Sequence, residues 1–248
     1  MGLREEVYGF IRDYDKGDVE LISTTLKKNK KDVLLCLKQL EDEGRIYKGS
    51  RVQGYLYKAK DNDAPESDYH EKTYSINLPA DDIIEEMFAL GNIEKRCNKN
   101  CRAILRFVYR SLIDNAKKHS KSDIIDVSIE TDSKDAEINV ADNGLGILKS
   151  MVDKTHFPDE FFAMMNMFDE TNTADMNEDC TIAARMLIMH MLAEQLSLQT
   201  HDILYDKYNE YSGAYLSCNY YEGTRLRFLI SRNTRRKVSD YIIENERY

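Results

Sequence analysis

The run from Cys101 to Ile147 constrains the fold more than any other part of the chain, because two different periodicities follow one another in it. Ile104, Leu105, Val108, Leu112 and Ala116 recur at the spacing that lines one face of an α-helix. That helix ends in Asp114-Asn115-Ala116-Lys117-Lys118-His119-Ser120, so polar residues interrupt its last turns. Ile125, Val127 and Ile129 then alternate, a turn follows at Ser133-Lys134-Asp135, and Ile138 and Val140 alternate into Asp142-Asn143-Gly144-Leu145-Gly146-Ile147. The order is helix, strand, turn, strand, glycine loop. By itself Asp-Asn-Gly is a hairpin turn signal, since Asn and Gly tolerate positive φ.

A chain of 248 residues allows one large domain or two modest ones, each able to bury a core without disulfide staples. Cys36, Cys97, Cys101, Cys180 and Cys218 are odd in number and scattered, which suits a reducing compartment. Cys97 and Cys101 share the spacing of one helical face, but no Cys/His pair completes a zinc set, so they read as ordinary helix cysteines. The longest uncharged stretches fall short of the roughly 18 apolar residues of a membrane span. The charged N-terminus lacks the apolar core of a secretory signal. A cytoplasmic location without a membrane is the expectation.

Charge divides the chain. Residues 1–60 carry a net +3 and residues 61–248 a net −12. Between them Asp61 to Asp68 is polar, acidic and contains Pro65, so it reads as a linker. Before it, Leu3, Val7, Phe10 and Ile11 predict one helix, and Val19, Leu21, Ile22 and Leu26 a second that Asp18 opens. Val33, Leu34, Leu37 and Leu40 predict a third, with Asn29 as N-cap and Gly44 as its stop. Two strands follow around Gly49-Ser50-Arg51. Three helices and a hairpin with the phrase Leu-x-x-x-Gly-x-Ile resemble the winged helix-turn-helix family over residues 3–60. The resemblance implies that Lys27, Lys28, Lys30 and Lys31 begin a recognition helix and that Arg51 sits on the wing, where double-stranded DNA would be met. Such domains also serve as dimerisation or protein-docking modules, and +3 is a small charge for a dedicated DNA binder.

A helix carrying Asn115-Ala116-x-x-His119-Ser120, a strand ending in Asp142-x-Gly144-x-Gly146, and the later phrase Gly223-Thr224-x-x-x-Phe228 together resemble the Bergerat-fold ATP-binding domains of sensor histidine kinases, gyrase B subunits and anti-sigma-factor serine kinases. The resemblance covers about residues 74–231. It implies a fold of class α+β: the winged helix-turn-helix over 1–60, a linker over 61–73, and a Bergerat-type α/β sandwich over 74–232 with helices on one face of a mixed sheet. A C-terminal helix is expected over 233–248 from Val238, Tyr241 and Ile242. By the resemblance, Asp142 accepts a hydrogen bond from the adenine amino group, a charge-assisted bond worth roughly 1.5–3 kcal/mol. Gly144 and Gly146 admit close backbone approach, Thr224 completes the adenine end through its hydroxyl and a water, and Asn115 offers its amide oxygen to Mg. Lys118 and His119 lie near the phosphates.

The pattern has departures. Hydrolysing relatives carry a glutamate four residues before the asparagine, where this chain has Ser111, and serine is no general base at neutral pH. The second glycine box aligns with Thr181 to Met186, where Ala183 and Arg185 replace glycines and Arg185 brings charge to the phosphate end. Phe161 to Phe168 reads as a lid helix, within a lid expected over 148–182. The sequence therefore points to a regulator that binds ATP or ADP with little hydrolysis, and in which nucleotide occupancy orders the lid and so alters DNA or protein binding by the winged helix. A homodimer is compatible with this. Two alternatives stand beside it: a pseudo-ATPase scaffold with an empty pocket, and an anti-sigma-like serine protein kinase.

Overall fold

Short polar side chains set the helix starts of the N-terminal unit. In the computed structural model, which describes residues 2–13, 18–49, 56–59, 68–152, 157–168, 180–208 and 211–241, the chain divides between Ser67 and Asp68 into two units. The first holds α1 (Leu3–Asp13), α2 (Val19–Leu26) and α3 (Lys30–Asp42). The Asp18 carboxylate accepts the Leu21 amide at 2.7 Å and the Asn29 side chain accepts the Lys31 amide at 2.8 Å, so each satisfies an N–H that the first turn would leave bare. Lys27 closes α2 at φ 53°. β1 (Ile46–Gly49) pairs antiparallel with β2 (Leu56–Ala59). Val7, Ile11, Ile22, Val33, Leu37 and Leu40 bury together beneath Ile46 and Tyr57. Arg51 and the hairpin tip lie outside the described residues.

The second unit begins with β3 (Asp68–Ser75), α4 (Ala80–Leu90), α5 (Ile93–Arg96) and α6 (Lys99–Asn115), the last continued by a π-helical turn over Ala116–Ser120. β4 (Ile124–Thr131), β5 (Asp135–Asp142), α7 (Ile147–Val152), α8 (Glu160–Met167) and α9 (Cys180–Leu192) follow. The long strands β6 (Gln195–Tyr208) and β7 (Tyr211–Ser231) complete a five-stranded sheet in the order β3-β4-β5-β7-β6. Period-two alternation turns Ile125, Val127, Ile129, Ile138, Val140, Leu226, Phe228 and Ile230 toward the core shared with α4, α6 and α9. On the alternate positions Ser128, Glu130, Glu137, Gln199 and Arg227 lie buried, with Arg227 donating to Glu137 at 2.6 Å.

Three expectations are corrected. The sheet is antiparallel throughout rather than mixed. Chain path explains this: β4 starts at Ile124 opposite Ser75, where β3 ends, so the helices between them return the chain to the edge it left. Strand β3 starts at Asp68, seven residues into what reads as linker, because an edge strand with only Tyr74 buried needs no hydrophobic alternation. Past β7, the described chain holds one 3-10 turn, Val238–Asp240, in place of a longer helix; Val238 and Tyr241 still pack on the core, and 242–248 lie outside the described residues. Among the described residues no helix is long and apolar enough to cross a membrane.

Tyr109 is fully buried on α6, and its hydroxyl donates to the Ser128 carbonyl at 2.7 Å, tying helix layer to sheet. Replacing it, Tyr109→Phe, removes that hydrogen bond between the layers and should cost about 1 kcal/mol in urea unfolding. An unchanged midpoint would remove this bond from the account.

Candidate functional site

α6 carries its polar residues to its C-terminal end, and there the geometry departs from an ordinary helix. After Asn115 the backbone widens into the π-helical turn Ala116–Ser120, a feature that often marks functional positions. Lys118 and His119 thus follow Asn115 on a wider turn than α-helical spacing predicts. Ser111, Asp114, Asn115, Lys118 and His119 line one side of a cleft that is partly open to solvent; Ile182, Arg185, Met186 and Met189 of α9 line the other. The Asn115 Oδ1 atom is buried and has no hydrogen-bond partner among the described residues. An orphaned acceptor of this kind costs stability unless something fills the cleft and meets it. Lys118 and Arg185 have no carboxylate partner among the described residues, so both charges are available to an anion. Ser111 donates to the Phe107 carbonyl at 2.8 Å and is occupied by its own helix.

The glycine loop packs against the far side of that same turn. The Ser120 carbonyl accepts the Leu145 amide at 2.7 Å, and a Cβ on Gly144 would stand 2.0 Å from the same oxygen. Gly223, at φ 97°, would place a Cβ 2.0 Å from the Asp142 carbonyl. These two glycines are required by backbone contact, and Gly223 was not a residue that the motif had marked for a role. Asp142 and Thr224 are cross-strand partners at the ends of β5 and β7. One Asp142 oxygen accepts the Gly144 amide at 2.9 Å, yet burial raises its carboxyl to about 6 against the lowering effect of the Gly144 and Thr224 amides. The Thr224 hydroxyl oxygen accepts the Ile147 amide at 2.8 Å, so one lone pair holds α7 in place and its O–H and second lone pair remain.

The structure brings Asn115, Lys118, His119 and Arg185 into one cleft and places Asp142, Gly144, Gly146 and Thr224 beside it around the glycine loop. A third group escaped sequence reasoning. His201 sits at φ 53° where the β6–β7 register slips, one ring nitrogen lies 2.8 Å from Glu160 of α8, and its ring stacks on Tyr220. A Cβ on Gly146 would approach both Thr200 and His201, so this bulge backs the loop. No local sequence signal marks it, because the bulge exists only in the pairing of two strands.

The basic residues of the first unit are less available. Lys28 pairs with Glu6 at 3.4 Å and Lys30 with Glu20; Lys27 caps α2 and Lys31 lies in the first turn of α3. Leu21, Leu34 and Leu35 are exposed on α2 and α3.

The sequence model of the histidine kinase-, DNA gyrase B-, and HSP90-like ATPases matches residues 102–233, just over half the chain. None of the curated proteins matches it significantly.

Asp142 generates a stability prediction. Its folded value of about 6 lies above the ordinary 3.8, so the native state holds the proton more tightly. That contribution is complete below pH 3.8 and is lost as pH rises through 6. Asp142→Asn keeps an acceptor for Gly144 without the buried charge. The variant should exceed the parent by up to about 3 kcal/mol at pH 7 and converge with it near pH 4, measured by urea unfolding without nucleotide. A variant less stable at pH 7 would show that the charge is compensated by partners other than those two amides.

Proposed function

Because the chain belongs to the family of histidine kinase-, DNA gyrase B-, and HSP90-like ATPases, we propose that its second unit binds Mg-ATP, with adenine selected at Asp142 and phosphates held at the α6–α9 cleft. The observation that carries this is the Asn115 amide oxygen, buried and unmatched among the described residues, in a cleft lined by two cations that have no carboxylate partner among them. A hard divalent ion takes oxygen donors, so the residues present fit Mg, and Asn115 would hold it. When bound, the ion would neutralise phosphate charge. Lys118 and Arg185 complement what remains. Asp142, ionised above pH 6, accepts from the adenine amino group and repels the carbonyl that guanine presents there.

Hydrolysis is slow or absent in this reading. Ser111 stands where relatives place a glutamate, and its hydroxyl donates a hydrogen bond to the Phe107 carbonyl. The unit then acts as a sensor of nucleotide, and the first unit as its output. The winged-helix resemblance supports DNA as the output, but the pairing of Lys28 and Lys30 with Glu6 and Glu20, and the exposure of Leu21, Leu34 and Leu35, favour a protein partner. Gel-shift titrations with random-sequence duplex, with and without nucleotide, separate these: salt-sensitive binding would restore the DNA reading.

Calorimetric titration tests the pocket. Mg-ATP should bind and Mg-GTP should not, and Asn115→Ala should weaken Mg-ATP by roughly tenfold or more, the loss of one charge-assisted contact. Heat from neither nucleotide at millimolar concentration would reduce the unit to a scaffold with an empty pocket. Affinity should also be flat above pH 7 and fall below pH 6, since a protonated Asp142 presents a donor to the adenine amino group. Asp142→Asn should abolish that pH dependence along with the discrimination against GTP; a profile that persists in the variant assigns the titration elsewhere.

A further inference from the structure

Helix α8 has little of its own to hold it in place. It buries Ala163, Met164 and Met167 and leaves Phe161, Phe162 and Met165 exposed. Its first residue, Glu160, is fastened from outside the helix: the carboxylate accepts from His201 Nδ1 at 2.8 Å, and both side chains are partly buried. His201 in turn sits at φ 53°, a left-handed conformation that few residues other than glycine adopt. Pairing across the strands imposes it. Thr200 and His201, adjacent on β6, oppose Thr224 and Tyr221 on β7, so Glu222 and Gly223 are left out of the ladder. The His201 ring lies within 8° of parallel to Tyr220, with centroids 5.4 Å apart. The ring edge that carries Cε1 and Nε2 faces the glycine loop, where a Cβ on Gly146 would stand 3.1 Å from either atom. Thr200 closes on the same glycine, and Thr224 beside it holds the Ile147 amide.

We propose that His201 is a positioning residue for the nucleotide site: one imidazole holds α8 by Nδ1 and backs Gly146 with the adjoining edge, so the packing of α8 sets the position of the glycine loop. This rests on the reading of that loop as the adenine end, and it names how that end is regulated. A backbone strained at φ 53° persists only where its surroundings hold it, and here Glu160, Tyr220 and the Gly146 turn surround the ring. Release of Glu160 frees the ring to leave its rotamer, and the backing of Gly146 goes with it. An imidazole has no internal torsion to absorb a shift of α8, so the shift reaches the loop. Neither Glu160 nor His201 lines the α6–α9 cleft, so their effect on nucleotide does not come from touching phosphate there. The coupling is reciprocal: a nucleotide that fixes the loop steadies α8, and whatever draws α8 away loosens the adenine end without entering the pocket.

Amide exchange in the full-length protein without nucleotide tests this, comparing the parent with Glu160→Ala, Glu160→Gln and His201→Gly. Alanine suits a helix and Asp159 still caps α8 through the Phe162 amide, so the first variant removes only the carboxylate. Glycine accepts φ 53°, so the last removes only the ring. In Glu160→Ala, exchange over 142–147 should rise about fivefold or more together with 160–167. Glu160→Gln keeps an acceptor for Nδ1 and should stay near the parent, a rescue that loss of helix packing alone would not give. In the His201→Gly background, adding Glu160→Ala should leave 142–147 unaltered. Faster exchange over 160–167 with 142–147 at the parent rate would overturn the proposal, as would equal loosening in Glu160→Gln. Calorimetry separates it from the nucleotide reading: Glu160→Ala should weaken Mg-ATP by about fivefold or more. If the parent binds Mg-ATP and Glu160→Ala binds it equally, the role of His201 falls and the pocket stands. If the parent gives no heat, the pocket reading falls, and the exchange comparison alone upholds or overturns the tie between α8 and the loop.

Discussion

The contact between the glycine loop and the last turn of α6 sets the position of everything else in the second unit. It is backbone against backbone: Ser120 accepts the Leu145 amide, Gly144 leaves no room for a side chain beside that oxygen, and Gly223 does the same beside Asp142. Side chains can adjust to a neighbour, whereas carbonyls closed to this distance cannot. The ends of β5, β7 and α6 are therefore fixed relative to one another, and with them the Asp142 carboxylate and the cleft that holds Asn115. The π-helical turn is the local consequence, since it carries Ser120 to the loop while α6 keeps its apolar face on the sheet.

Function here is written as unmet polar chemistry. The Asn115 amide oxygen is buried without a partner, and the Asp142 carboxylate is buried among too few donors. Both are costs that an unliganded protein carries. Elsewhere in the same sheet Arg227 and Glu137 are buried and pair at 2.6 Å, although Glu137 Oε1 and Arg227 Nε are left without a partner among the described residues. A buried pair of this kind contributes little net stability but is costly to break. What sets Asn115 apart is that its unmatched oxygen belongs to a residue that lines the α6–α9 cleft.

Much of this was legible in the sequence where the cause is local. Asp18 and Asn29 cap the helices that they announce, the alternation through Ile125 to Ile129 and Ile138 to Val140 gives two neighbouring strands, and Asn115, Lys118 and His119 line one cleft with Arg185. What was not legible depends on pairs of residues distant in sequence. The antiparallel sense of the sheet follows from where the chain re-enters it. The early start of β3 follows from an edge that needs no apolar face. The His201 bulge and the engagement of Thr224 by Ile147 exist only once β6, β7 and α7 are assembled. For the cysteines, spacing alone suggested one helical face, whereas Cys97 stands before the helix and Cys101 within it.

The central claim is that adenine and phosphate are bound on the two sides of the Ser120 contact. Amide hydrogen exchange with and without Mg-ATP tests it most directly, because each side reports through its own amides. The account predicts slowed exchange in both 115–120 and 142–147, with the two segments protected together and Mg-GTP protecting neither. Protection confined to other segments, or none at saturating nucleotide, would contradict it.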